Sequence, residues 1–147
     1  MPEDLRSTFD LNVTGMLSTL QPLLPTLKKN SGSVVLFSSV AVGQGFSNHT
    51  SISASKGAIE GITRTLAAEL SPKVRVNCVA PSLFTSALSE GMLSNDAVKK
   101  GIEKSHPMGR VGEGEDVARA AMWLLGKEQG WVTGQIVGVD GGRSTVA

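Results

Sequence analysis

Lys56, His49, Ser39, Asn12 and Cys78 are the side chains of this 147-residue sequence whose types suit chemistry. An ammonium and an imidazole move protons, a hydroxyl and an amide hold a substrate oxygen, and a thiol acts as nucleophile or ligand. Spacing sorts them. Ile52 and Lys56 share one helix face four residues apart, and Ala54, Gly57, Ala58 and Gly61 keep the other faces thin. His49 stands one helical turn before Ile52, near a helix start, where the positive end of the dipole favours a neutral ring. A proton donor and a solvated loop histidine are both open for it. Cys78 falls inside an apolar run and reads as a buried, inert thiol. The chain has no tyrosine, so no phenol is available for proton transfer.

Helical spacing of Leu5, Phe9, Leu11, Met16, Leu20, Leu23, Leu24 and Leu27 predicts a long first helix, kinked near Gln21 because Pro22 and Pro25 each remove a backbone donor. Ser33–Phe37 is short, β-branched and continuously apolar, which predicts a strand buried on both faces of a parallel sheet. Ser38 to Thr50 reads as a loop at that strand's carboxyl end. A helix from Ile52 to Leu70 follows, then an alternating strand from Val74 to Val79 ended by Pro81. A long connection, Ser82 to Pro107, carries a helix near Ser94 to Lys104. Glu113 to Leu125 forms the last helix, with Val117, Ala120, Ala121, Leu124 and Leu125 inward; Gln135–Val139 is a third strand, and Asp140-Gly-Gly142 a turn. Trp123 and Trp131 read as core or interface packing.

The alternation defines an α/β chain with right-handed crossovers. Three strands make a narrow sheet with an exposed edge, so the chain reads as part of a larger fold. Fourteen basic against thirteen acidic residues, with no charge run, exclude a phosphate-tracking surface and hence nucleic acid. No apolar stretch approaches the roughly 18 residues of a membrane span, and no signal peptide opens the chain. A single cysteine suits a cytoplasmic setting.

Asn12-Val-Thr-Gly15, Ser38-Ser39, Ser53-Ala-Ser-Lys56 and Val74-Arg-Val-Asn-Cys-Val-Ala-Pro81 occur in order. Together with Gly109-Arg-Val-Gly112, Glu115-Asp-Val-Ala118 and Val132-Thr-Gly-Gln135 to Gly142, they closely resemble the short-chain dehydrogenase/reductase family. The resemblance implies the carboxyl-terminal part of a Rossmann-like, doubly wound parallel sheet: one partial domain over residues 1–147, lacking the Gly-rich nucleotide-binding half, with about three βα units expected before Met1. It implies an NAD(P)-dependent oxidoreductase acting on a small alcohol or carbonyl compound. Asn12, Ser39 and Lys56 then match catalytic positions, and Lys56, Pro81, Ser82, Leu83 and Ser86 match the nicotinamide side, with Thr85 as the other hydroxyl candidate. NAD and NADP stay open, and no metal is expected.

By the same resemblance the family's tyrosine position, four before Lys56 and 13 after Ser39, holds Ile52. That residue has no proton to give, so a non-catalytic scaffold or regulatory subunit is the alternative. A homo-oligomer formed through the helices around Asn12–Leu27 and Ile52–Leu70 is also implied.

Overall fold

The structure, a computed structural model, describes residues 2–146. Three strands, β1 (Ser33–Phe37), β2 (Arg75–Pro81) and β3 (Ile136–Val139), form one parallel sheet in the order β1-β2-β3. Side chains alternate across a strand, so the two faces of β2 recruit different helices. Val76 and Cys78 face α4 (Thr50–Leu70) in a core with Leu36, Ile59, Ala67, Leu70 and Val74. Val79 faces α7 (Gly114–Leu125) with Val117, Ala121 and Leu124. Helices on both sides of a parallel sheet make this a Rossmann-like α/β architecture.

Burial follows position in the sheet. In central β2, Val76, Asn77, Cys78 and Val79 are all 0% exposed. In β1 only Leu36 is buried, and Phe37 is 46% exposed. The expectation that β1 is buried on both faces is therefore corrected: among the described residues its second edge has no partner strand, and a strand covered on one side only keeps much of its apolar surface.

The first helical stretch is segmented: α1 (Pro2–Phe9), a π-turn (Asp10–Thr14), α2 (Gly15–Leu20), a 3₁₀ turn (Gln21–Leu23) and α3 (Leu24–Lys29). The tightened turn falls at the proline-directed kink, as the missing donors require. The π-turn has no such signal in the sequence. After α3 the chain reverses through Gly32, where a Cβ would approach Leu27 Cδ2 to 2.6 Å, so a larger residue there would require the Leu27 side chain to shift.

Two polar residues of β2 organise the α7 side. The Arg75 guanidinium donates to Leu124 O (2.9 Å) and Gly126 O (2.8 Å), carbonyls that the end of α7 leaves unpaired, and to Val132 O (3.2 Å) in the connection to β3. Asn77 Nδ2 donates to Val132 O at 2.9 Å, and Asn77 Oδ1 accepts from Gln135 N at 3.0 Å. The return to β3 is thus fixed by side chains of β2. At its other end α7 begins with a capping box, Glu113 and Asp116 each bonding the other's backbone.

Boundaries move slightly from the sequence reading. β2 includes Pro81, β3 starts at Ile136, and the long connection holds two helices, α5 (Glu90–Leu93) and α6 (Asp96–Lys104). Leu125 is 41% exposed rather than inward, and Trp131 at 100% and Trp123 at 49% exposure are not core residues.

Candidate active site

α4 carries the polar residues that the sequence singled out. At about 100° per residue, His49, Ile52, Ser53 and Lys56 fall within a single arc of roughly 100°. That arc faces the chain as it leaves β1. Lys56 Nζ donates to Phe37 O at 2.9 Å, and Ser53 Oγ donates to Ala41 O at 2.9 Å. Residues 37–41 are tied to α4 on both sides of Ser39. Ser39 itself caps the 3₁₀ turn Val40–Val42, its Oγ accepting from Ala41 N at 3.2 Å, a bond that leaves the hydroxyl proton free to donate.

Its neighbour Ser38 has a different job. It is buried, and its Oγ lies 2.9 Å from Glu60 Oε1 and 3.3 Å from Lys56 O, tying the strand end to α4. Of the two serines, Ser39 is the less buried, and its hydroxyl proton has no acceptor among the described residues.

Asn12 joins this group from the opposite helix. It sits in the π-turn, and its Nδ2 donates to Ser55 Oγ at 3.2 Å. Ser55 is fully buried and directly precedes Lys56, so Asn12 is held one residue from the ammonium. Such widened turns recur at functional sites. Nearer the helix start, Ser51 Oγ donates to Asp4, a second tie between the two helices.

Burial lowers the pKa of Lys56 from the ordinary lysine value, because desolvation disfavours the ammonium; the nearby Cys78 partly opposes this. The same burial pushes the Cys78 thiol up to about 11. A thiol with no solvent exposure and a raised pKa is a poor nucleophile. In the native chain Cys78 should not react with a disulfide reagent such as Ellman's reagent, and should react fully once urea unfolds it; rapid labelling of the folded chain would contradict this burial.

His49 occupies the N-cap position of α4 and is exposed. Its Nδ1 lies 2.8 Å from Ser47 O, so in the neutral ring Nδ1 carries the proton and Nε2 is the free base. Phe46 meets the ring edge-on, with centroids 5.5 Å apart, and the Arg143 guanidinium covers Phe46 at 4.7 Å. Ile52, half-buried, stands between His49 and Lys56 on the same face.

The carboxyl end of β2 supplies the rest. Pro81 closes the strand, Ser82 N continues the ladder to Val139 O at 3.1 Å, and Leu83 lines a hollow of about 320 Å³ with His106, Arg110, Asp116 and Asp140. Across that hollow Arg110 forms a two-pronged pair with Asp116, 2.7 and 3.0 Å, which holds the carboxyl well below the usual range. Ser86 Oγ accepts from Ser89 N at 3.3 Å within a turn, whereas Thr85 is exposed and, with Ser86, Glu90, Leu93 and Ser94, lines a second hollow of about 400 Å³. Sequence reasoning did not single out His106, which lines the first of these hollows.

The donors present suit the nicotinamide end of a dinucleotide. An ammonium has three protons, and Phe37 O takes one of those on Lys56, leaving others for ribose hydroxyls beside the strand ends. Ligands of open parallel sheets bind outside the carboxyl ends of strands; Ser39 follows β1, whose last carbonyl holds Lys56, and Leu83 follows β2.

Three parallel strands with helices on both faces make this a Rossmann-like α/β protein. The family profile described as Enoyl-(Acyl carrier protein) reductase matches residues 1–144, and the chain belongs to the short-chain dehydrogenase/reductase family. A 3-oxoacyl-(acyl-carrier-protein) reductase of Chlamydia muridarum is 33% identical over 144 residues, 97% of this chain and 57% of that protein. A short-chain type dehydrogenase/reductase from Mycobacterium ulcerans superposes with TM-score 0.91 at 32% identity, covering 98% of this chain and 53% of that one. ElxO, solved with NADP bound, matches with TM-score 0.83 at 27% identity, over 90% of this chain and 54% of its own. The chain thus spans just over half the length of these relatives.

Proposed function

We propose that this chain is the carboxyl-terminal part of an NAD(P)-dependent oxidoreductase that interconverts a small-molecule alcohol and its carbonyl. The observation carrying this reading is the bracketing of Ser39 by the Lys56–Phe37 and Ser53–Ala41 bonds, with Asn12 bound to Ser55 behind it. Ser39 holds the substrate oxygen through its free hydroxyl proton. Lys56, partly desolvated, is poised to hold ribose hydroxyls and to favour negative charge developing on that oxygen. Asn12 fixes the helix that carries Lys56. A nicotinamide, when bound, supplies or accepts the hydride, and Lys56, Pro81, Ser82, Leu83 and a hydroxyl from Ser86 or Thr85 are the residues that would hold it.

In this reading Ile52 stands where the family places a tyrosine, and His49 Nε2 is the nearest base on the same face to exchange the proton. The buried free thiol suits a cytoplasmic setting, and no helix among the described residues is long and apolar enough to cross a membrane. The reading also pairs the helices around Asn12–Leu27 and Ile52–Leu70 with those of a second copy; Leu17 and Leu23 are 37% and 51% exposed on the first of these.

Ile52 itself favours a second reading, a non-catalytic relative that keeps the fold as a scaffold or regulatory subunit. Calorimetric titration with NADH and NADPH, of the 147-residue chain and of a form extended upstream in its gene, separates the two. Binding by the extended form alone is the result expected of the oxidoreductase; no binding by either form sinks it and leaves the scaffold.

A further inference from the structure

Ser82 and His106 are 24 positions apart in sequence yet meet beneath the surface, Ser82 Oγ lying 2.8 Å from His106 Nε2. Exposure is 9% for Ser82 and 3% for His106. His106 Nδ1 lies 2.7 Å from Ile102 O, an acceptor only, so in the neutral ring Nδ1 donates there and Nε2 accepts from the Ser82 hydroxyl. Ser105 Oγ also donates to Ile102 O at 2.7 Å. The ring packs against the turn after β3: a Cβ on Gly141, whose φ is +61°, would lie 3.6 Å from His106 Cδ2. Both ring nitrogens are used, one toward α6 and one toward the end of β2.

Everything between the two residues forms one excursion, 83–105, containing α5 and α6. Its near end is pinned by Gly112 N to Leu83 O (3.2 Å) and Thr85 N to Gly112 O (3.0 Å). At the far end, just beyond His106, Met108 N donates to Gly141 O at 3.1 Å. The excursion is otherwise outward-facing, with Leu88 at 97% and Met92 at 53% exposure. Ser82 and His106 close its neck; Leu83 and His106 line the first hollow, and the second is lined by residues 85–94 of the excursion itself.

We propose that the Ser82–His106 hydrogen bond clamps the neck of the 83–105 segment and holds that segment over the carboxyl end of β2, which makes His106 a positioning residue for substrate selection. The selection role rests on the oxidoreductase reading above; the clamp does not. A segment this long gains its order from few buried contacts, so loss of a buried hydrogen bond at its neck shifts it toward open forms. Ser82 acts as donor and His106 as acceptor, and both are buried.

The test is hydrogen–deuterium exchange on the 147-residue chain. His106→Leu removes both ring bonds and keeps an apolar volume; His106→Gln leaves an amide oxygen to accept from Ser82. Peptides within 83–105 should exchange roughly tenfold faster in His106→Leu. β2 and α4 should be unchanged, and His106→Gln should restore most of the protection. Ser82→Ala gives the same readout should the leucine variant fail to fold. Long-range nitrogen-15 spectra should show the Nδ1-protonated ring. Unchanged exchange in 83–105 overturns the clamp.

In the upstream-extended form, assayed with a 3-oxoacyl thioester, His106→Leu should raise the substrate KM roughly fivefold while the KM for the nicotinamide nucleotide moves much less. Equal movement of both removes the selection role. If that form binds no nucleotide, the oxidoreductase reading and the selection role fall together, while the exchange result still decides the clamp.

Discussion

Under the proposed oxidoreductase function, replacing Ile52 by tyrosine should raise carbonyl turnover of the upstream-extended form by about 10²- to 10⁴-fold, the range that a positioned general acid contributes. The physical ground is the face that Ile52 shares with Lys56 four residues on, where a half-buried ammonium already favours a phenolate. Ser39, bracketed between Phe37 and Ala41, is the second hydroxyl proposed for the substrate oxygen. Steady-state kinetics with a 3-oxoacyl thioester read the effect in kcat. No gain in a variant that still binds the nucleotide would sink the assignment of position 52. The same assay weighs His49: if its Nε2 serves as the proton-exchanging group in the native chain, His49→Phe abolishes turnover where Ile52→Ala does not.

Asn77→Ala should cost about 2 kcal/mol of stability, because Gln135 N loses its acceptor, while Val132 O keeps the Arg75 guanidinium as donor. Asn77 is 0% exposed, and its amide is spent on Val132 O and Gln135 N, which together set the path of the chain into β3. Urea unfolding followed by circular dichroism measures the loss. A change below 1 kcal/mol would mean that these groups find water in the variant, and that the 132–135 connection is held mainly by Arg75.

Asn77 also shows where sequence reasoning stopped. The alternation Val74-Arg-Val-Asn-Cys-Val located β2 correctly, and polar residues at alternate positions ordinarily mean a solvated face. Here both faces are covered, and Arg75 and Asn77 turn their polar groups on the carbonyls and amides of residues 124–135. Three parallel strands, their order in the chain and the kink at Gln21 were legible, because each depends on local periodicity or on proline geometry. The burial of β1 was not, since that depends on what lies across its outer edge. Asn12, Ser39 and Lys56 could be read from their motifs, and their connection through Ser55, Phe37 and Ala41 emerged only in three dimensions. His106 carried no motif, and its partner is 24 residues away in a loop.

The π-turn between α1 and α2 acts on helix phase. An unbroken α-helix advances about 100° per residue, so positions eight apart, as Asp4 and Asn12 are, would point about 80° away from each other. One widened turn, with its ring closed five residues back, takes up part of that difference. Asp4 and Asn12 both reach α4, at Ser51 and Ser55, which are themselves one turn apart. The two helices mesh like gears whose teeth match only at one setting, and the number of residues in the first helix is therefore as much a determinant of where Lys56 sits as any side chain beside it.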